Sequence, residues 1–354
     1  MIKNAEAFNF VLPSLKVSGG IKEIINIENE LKQLGTSVEN YVMWVSPSEV
    51  STAPFNSIYL SNYTTNHYLA ILQIPFILFK FLLIEKRKRC NGQWFFTHYA
   101  TLPLALCVPC DKRIFLVQGV EWDFVRNKFI SAMLRKLILS FYRNGRIVTT
   151  NQYLSRKMYE SGLTVSAELQ IWANESFYIE SDVARDIDIV MVLRSGGTKR
   201  LDLYQEFIRI NNVRHKRFKI AVITPDDEIN AFVNPLVSEC YVRPSIDQMA
   251  TTYARSKIFL MLSEHEGFGL PPLEAMGAGC VPICRDSGGI QTYMTGELAN
   301  LVVPLEWDLS KIIDYSDSLL NSDKLEIYST LSKKIFKSRL IDPNSRGRLL
   351  FILN

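Results

Sequence analysis

The stretch that decides the fold is Ile258–Gly289, IFLMLSEHEGFGLPPLEAMGAGCVPICRDSGG. It opens with five apolar residues, as expected of a strand buried on both faces of a parallel sheet. A loop follows with Glu264, Glu266, Gly267 and Gly269, and a helix starts at Leu270-Pro271, since proline is tolerated in the first helical turn. A second apolar run, Val281–Cys284, reads as the next strand, and Ser287-Gly288-Gly289 turns away from its end. Strand, glycine loop, helix, strand is the repeating unit of an open α/β sheet, and such sheets bind ligands at the carboxyl ends of their strands. Glycines let backbone amides approach a ligand closely, and a helix N-terminus carries partial positive charge. Glu266 on the loop and Glu274 about one turn into the helix add carboxylates, which accept hydrogen bonds from sugar hydroxyls. Acids, glycines and a helix start together suit a ligand that carries both sugar rings and phosphates.

Working outward, the same alternation covers the chain. In the second half Asp188–Leu193 and Phe218–Ile223 read as strands, with helices starting near Lys199, Ile246 and Leu270. In the first half Phe8–Leu12, Tyr41–Val45, Trp94–His98, Arg113–Val117 and Ile147–Thr150 read as strands. Ser18-Gly19-Gly20 is a turn, Ile21–Leu34 an amphipathic helix and residues 124–143 another. Residues 173–185 (ANESFYIESDVAR) are polar and aperiodic and read as a linker. The expectation is an N-terminal domain over 1–172, a linker over 173–185 and a C-terminal domain over 186–322. A helical segment over 323–354 is expected to pack back on the first domain.

The chain has 354 residues, 47% of them hydrophobic, which is comfortable for two domains. A formal net charge of +4 is far from the footprint of a dedicated nucleic-acid binder. The N-terminus lacks a basic start followed by an apolar stretch, so no secretory signal is expected. Cys107 and Cys110 form a C-x-x-C without a second pair at zinc spacing, and read as ordinary thiols in a reducing compartment. Residues 68–84 (YLAILQIPFILFKFLLI) are the most apolar stretch, followed by EKRKR at 85–89. The run is short for a membrane span and is broken by Gln73, Pro75 and Lys80. With the basic apolar helix 124–143 it suggests a surface that rests on anionic lipid, or else two helices packed on a sheet.

Glu266, seven residues, then Glu274, with Gly277-x-Gly279-x-x-Pro282 beyond, closely resembles the retaining glycosyltransferases of family 4. That family has the GT-B fold, two Rossmann-like domains facing each other across a cleft. The resemblance is strong over about residues 186–305 and extends more weakly over the first half. It implies a hexosyltransferase using a UDP-, dTDP- or GDP-linked sugar, with retention at the anomeric carbon. It also implies roles. Arg194 and Lys199, in LRSGGTKR, grip the donor diphosphate, whose charge grows as the glycosidic bond breaks. The commoner family form has glycine before this arginine and after the lysine, so the loop's shape here differs. Glu274 holds the ribose, and Glu266 with the backbone of Gly267, Phe268, Gly269 and Leu270 orients the sugar.

Gly19-Gly20 and Gly288 resemble the family's loops near the donor. His98 resembles a histidine that meets the donor sugar, or is bonded to nearby backbone. Gln118 and Glu121, in Gln118-Gly119-Val120-Glu121-Trp122, resemble the acceptor-side turn of rhamnosyltransferase-like members. Tyr241-Val242-Arg243 lies where the base meets backbone. No metal or other cofactor is expected, because Asp186-Ile187-Asp188 precedes its strand and Asp226-Asp227 lacks the setting of a metal-dependent sugar-nucleotide site. The implied acceptor is a lipid-linked glycan of O-antigen or capsule type, handled at the cytoplasmic face of the membrane by a peripheral protein. A glycosidase would need its two carboxylates to straddle a bond, which leaves the phosphate-type loop without purpose. A non-catalytic GT-B scaffold of an envelope assembly complex is the alternative.

Overall fold

The computed structural model describes residues 7–15, 19–46, 57–64, 67–88, 92–180, 183–215 and 217–340. The chain divides into two compact units, one running through Gln170 and the other starting at Ile171.

The first unit is built from β1 (Ala7–Leu12), α1 (Gly19–Gln33), β2 (Ser37–Val45), β3 (Ser57–Asn62), α2 (His67–Lys88), β4 (Gln93–Phe96), α3 (Leu102–Ala105), β5 (Arg113–Val117), α4 (Lys128–Tyr142), β6 (Arg146–Thr149), α5 (Gln152–Glu160) and β7 (Ala167–Glu168). The seven strands run in the order β3-β2-β1-β4-β5-β6-β7. Every pairing is parallel. β1 and β5 are buried almost along their length, as continuous apolar runs require when helices cover both faces. On one face Ile24, Ile27 and Leu31 of α1 pack with Phe10, Leu12 and Phe95. On the other Tyr41, Phe81 and Trp94 form an aromatic cluster with centroids 4.9–5.7 Å apart.

The apolar run of residues 68–84 lies within α2, and the residues that break its hydropathy have structural uses. Gln73 accepts a hydrogen bond from Trp44 Nε1 at 2.9 Å. Lys80 Nζ donates to the carbonyls of Tyr59 and Leu60 on the edge strand β3, at 2.7 and 3.2 Å. Among the described residues no helix is long and apolar enough to cross a membrane.

The second unit contains β8 (Ile187–Val192), α6 (Leu201–Val213), β9 (Ile220–Thr224), α7 (Asp227–Val233), β10 (Glu239–Val242), α8 (Ile246–Arg255), β11 (Ser256–Met261), α9 (Leu270–Gly277), β12 (Val281–Arg285), β13 (Val302–Val303), α10 (Leu309–Leu320) and α11 (Lys324–Lys337). Its sheet is also parallel, in the order β10-β9-β8-β11-β12-β13. Each sheet thus has the Rossmann order, with its switch point between β1 and β4 or between β8 and β11.

Three expectations are corrected. Residues 173–180 are not a free linker. Ala173 N donates to Arg339 O at 2.8 Å and Ile179 N to Gly277 O at 3.2 Å, while Phe177 is buried in the second core. The polar composition hid a single aromatic anchor. Of the segment 323–354 expected to pack back on the first domain, the described part forms α11, which belongs to the second unit. Phe336 of α11 sits so close under Gly277 of α9 that a Cβ there would come within 2.8 Å of its ring. Residues 341–354 lie outside the described residues. Finally, β4 ends at Phe96, so His98 caps the following turn rather than closing the strand.

Candidate functional site

The loops after β8, β11 and β12 converge at the carboxyl end of the second sheet, beside its switch point. Lys199, on the loop after β8, reaches Glu266, on the loop after β11, with Nζ 2.7 Å from both carboxylate oxygens. A charge-assisted contact of this length is among the strong ones. The Glu266 side chain is 13% exposed and Lys199 35%, so the pair sits at a surface that a solute can reach. The two loops are also stitched by backbone, Glu264 N donating to Thr198 O at 2.9 Å.

Glu266 is fixed from behind. Its N–H donates to Ser287 O at 2.8 Å, and its carbonyl accepts from Gly289 N at 3.0 Å. The approach explains Gly289, where a Cβ would come within 2.3 Å of Gly267 O. Gly269 takes φ +81°, a left-handed conformation that favours glycine, and leads into α9. Gly288 is the residue bridged to Glu266.

Arg194 and Glu274 both act electrostatically on a residue that pattern reading missed. Tyr253 of α8 is buried, and its hydroxyl pKa is pushed well above the usual range. Desolvation is the main cause, the Glu274 carboxylate adds to it, and Arg194 opposes it. Among the described residues, neither the Tyr253 hydroxyl nor Arg194 Nε has a hydrogen-bond partner. Two more tyrosines support the loop. Tyr204 Oη accepts from Leu262 N at 2.8 Å, satisfying the end of β11. Tyr293 Oη donates to Gly269 O at 2.6 Å. A tyrosine inside a helical apolar pattern reads as core, so no sequence signal marks these three.

The acids considered for metal are otherwise engaged. Asp186 and Asp188, at the opposite end of β8, pair with Arg255 at 2.7 Å and Lys257 at 2.8 Å. Asp226 accepts from Ser195 N at 3.0 Å, and Asp227 pairs with Arg243 at 2.8 Å. Arg243, after β10, has φ +48° and also donates to Pro225 O.

The first unit brings its own predicted residues together at the carboxyl ends of β1, β4 and β5. Gln118 lies over Gly20, where a Cβ would fall 2.5 Å from its Oε1. Gly19 and Gly20 open α1, while Ser18 lies outside the described residues. His98 Nδ1 accepts from Ala100 N at 3.2 Å, so the neutral ring carries its proton on Nε2. Burial pulls its pKa down to about 4. Nε2 faces Glu121 Oε1 at 4.0 Å. Glu121 is not the open cleft-edge acid expected. Its Oε1 accepts from Tyr99 N at 3.0 Å, and its Oε2 is buried without a partner among the described residues. Burial raises its pKa to about 8, opposed only by that hydrogen bond. Both groups are therefore uncharged near neutral pH.

Residues 239–336 match the family model Glycosyl transferases group 1. The matched segment carries Glu266, Gly267, Gly269, Glu274 and Gly288. A putative glycosyltransferase of a Sulfolobus islandicus filamentous virus is 57% identical over 44 residues, covering 12% of this chain and 13% of that protein. A GDP-mannose:cellobiosyl-diphosphopolyprenol alpha-mannosyltransferase of Xanthomonas oryzae is 44% identical over 43 residues, 12% of this chain and 11% of its own length. The aligned stretches thus span only about an eighth of those relatives. Solved structures extend the likeness over the whole chain. Sucrose-phosphate synthase from Thermosynechococcus elongatus superposes with a TM-score of 0.76 at 12% identity, covering 98% of this chain and 97% of that one. Anabaena HepE in complex with UDP and glucose gives 0.72 at 11% identity, covering 98% of both chains. At such identities the likeness establishes the fold, which is GT-B.

Proposed function

We propose that the protein is a metal-independent, retaining glycosyltransferase of family 4. It takes a hexose or deoxyhexose from a UDP-, dTDP- or GDP-sugar and adds it to a lipid-linked glycan acceptor of O-antigen or capsule type. The observation that carries this reading is the site at the second switch point. There a cation, a fixed carboxylate and a glycine-led helix start gather within one ligand's length. Arg194 and Lys199 bind the diphosphate and stabilise its growing charge. Glu274 holds the ribose, and Glu266 with the amides of Gly267–Leu270 orients the sugar. The departing phosphate oxygen takes the acceptor's proton, so no protein nucleophile is needed. On the first unit, Gly19, Gly20, His98, Gln118 and Glu121 gather at the carboxyl ends of the strands and offer directed contacts to the hydroxyls of the acceptor.

The protein works as a peripheral protein on the cytoplasmic face of an anionic membrane. Supporting this, α2 exposes Leu69, Leu72, Phe76, Phe79 and Leu83 at helical spacing, and α4 exposes Phe129, Ile130, Met133 and Leu137. The segment forming α4 contains Lys128, Arg135 and Lys136 and no acid, a composition that suits anionic lipid.

The test is thermal stability of the purified chain against UDP, GDP, dTDP and their sugars, with and without EDTA, repeated on Glu274→Ala. A ligand at 100 times its Kd adds about 2.7 kcal/mol. The expected result is a rise with one nucleotide, insensitive to EDTA and absent in the variant. No rise with any nucleotide overturns the reading in favour of a non-catalytic scaffold.

A further inference from the structure

We infer that Glu266 is a built-in stand-in for the donor's phosphate: it occupies Lys199 until a sugar ring draws it away, so the site distinguishes nucleotide-sugar from free nucleoside diphosphate. The inference rests on the donor-site reading above and adds a device to it.

Lys199 Nζ is not waiting free for an anion. It is chelated by both oxygens of Glu266 at 2.7 Å. A phosphate approaching Lys199 must compete with a carboxylate already in place, and the competition costs a charge-assisted contact. The carboxylate's main chain cannot retreat, because Ser287 O and Gly289 N hold it on both sides and Gly289 has no room for even a methyl group. Separation of the pair therefore comes from side-chain rotation. The space around the lysine loop is the more open. That loop contains Gly196, at φ +140°, and Gly197, around which a Cβ would meet nothing.

What can compensate Glu266 for losing Lys199 is a set of hydroxyl donors. A hexosyl ring supplies them and a bare nucleoside diphosphate does not. With the sugar present, Glu266 accepts from hydroxyls and Lys199 turns to the diphosphate. Once the sugar has been transferred, Glu266 reclaims Lys199 and the product loses its cation. The pair thus promotes product release without any movement of the backbone.

The experiment is isothermal titration calorimetry of the full chain with UDP, UDP-glucose, GDP and GDP-mannose, on wild type, Glu266→Gln and Lys199→Ala. The expected result is a crossed pattern. Glu266→Gln binds the free diphosphate about tenfold more tightly, a contact to a charged group typically being worth that much, and gains no affinity for the nucleotide-sugar. Lys199→Ala weakens the nucleotide-sugar by about tenfold and the free diphosphate by less than about twofold. The preference for nucleotide-sugar over free diphosphate collapses in both. If diphosphate affinity in Glu266→Gln is unchanged or weaker, the proposal is overturned and the pair is a structural tie between two loops, visible only as a lower Tm. If wild type binds none of the four ligands, the donor-site reading fails first and takes this proposal with it.

Discussion

The two units share one strand order but put opposite electrostatics at the end of it. At the second switch point a lysine and a carboxylate face each other as full charges, tied through loops whose backbone groups bond one another. At the first, a histidine with its pKa near 4 lies beside a carboxyl group with its pKa near 8, and burial has discharged both. A charged pair can be exchanged for a charged ligand. A neutral pair offers directed donors and acceptors without attracting ions, which suits an uncharged polyol. One strand order thus carries a charged pair at one switch point and an uncharged pair at the other, and what differs is how far the surroundings desolvate each.

The sharpest way to break this contrast is Gly289→Ala. The added methyl group would collide with backbone atoms of Gly267 and Phe268 at 2.3–2.5 Å, which cannot step aside. Nucleotide-sugar affinity should fall roughly a hundredfold, in line with the roughly 3 kcal/mol of a backbone clash at a packed site. Calorimetry that finds unchanged affinity would refute the loop's proposed role. Next in size is the first unit's exposed face. Phe129→Ser with Met133→Ser should weaken retention on phosphatidylserine vesicles about tenfold or more, since burying each such side chain contributes up to about 2 kcal/mol. Retention equal to wild type would leave α4 as a solvated helix.

The pH dependence of stability is the most diagnostic of the neutral pair. Glu121 binds its proton more tightly folded than unfolded, so rising pH between 4.5 and about 8 favours unfolding. Glu28, with both carboxylate oxygens buried and its pKa raised to about 6 by desolvation, contributes the same sign at the acid end of that window. Urea unfolding should therefore show wild type losing about 2 kcal/mol from pH 6 to 8 relative to Glu121→Gln, in which the Glu28 and His98 contributions remain. Parallel slopes would mean that Glu121 is already charged.

Most of the fold could be read from apolar runs. Each strand buried on two faces, such as Ile189–Met191 or Ile258–Met261, has a composition that little else explains. β3 and β7 escaped because edge strands are half exposed and carry polar residues, as in SIYLSN. The linker reading failed at Phe177, since a mean over thirteen residues cannot register one buried ring. In the site, the acids and glycines stood out because sequence spacing and spatial proximity coincide on one loop. The Lys199–Glu266 contact joins residues 67 positions apart, and its direct geometry follows from neighbouring strands. The tyrosines behind it were invisible for a different reason: Tyr204 and Tyr293 each use one hydroxyl, at the tip of a side chain that otherwise packs as core.

Lys80 carries a further consequence. Its ammonium group covers carbonyls of β3, the outermost strand of the seven-stranded sheet. An uncovered strand margin is a template on which a second chain can continue the sheet. Occupying those acceptors with a charged group makes that continuation unfavourable. The residue that interrupts the most apolar stretch of the chain also covers part of a sheet margin, so concentrated solutions of a Lys80→Met variant should cloud sooner than those of wild type.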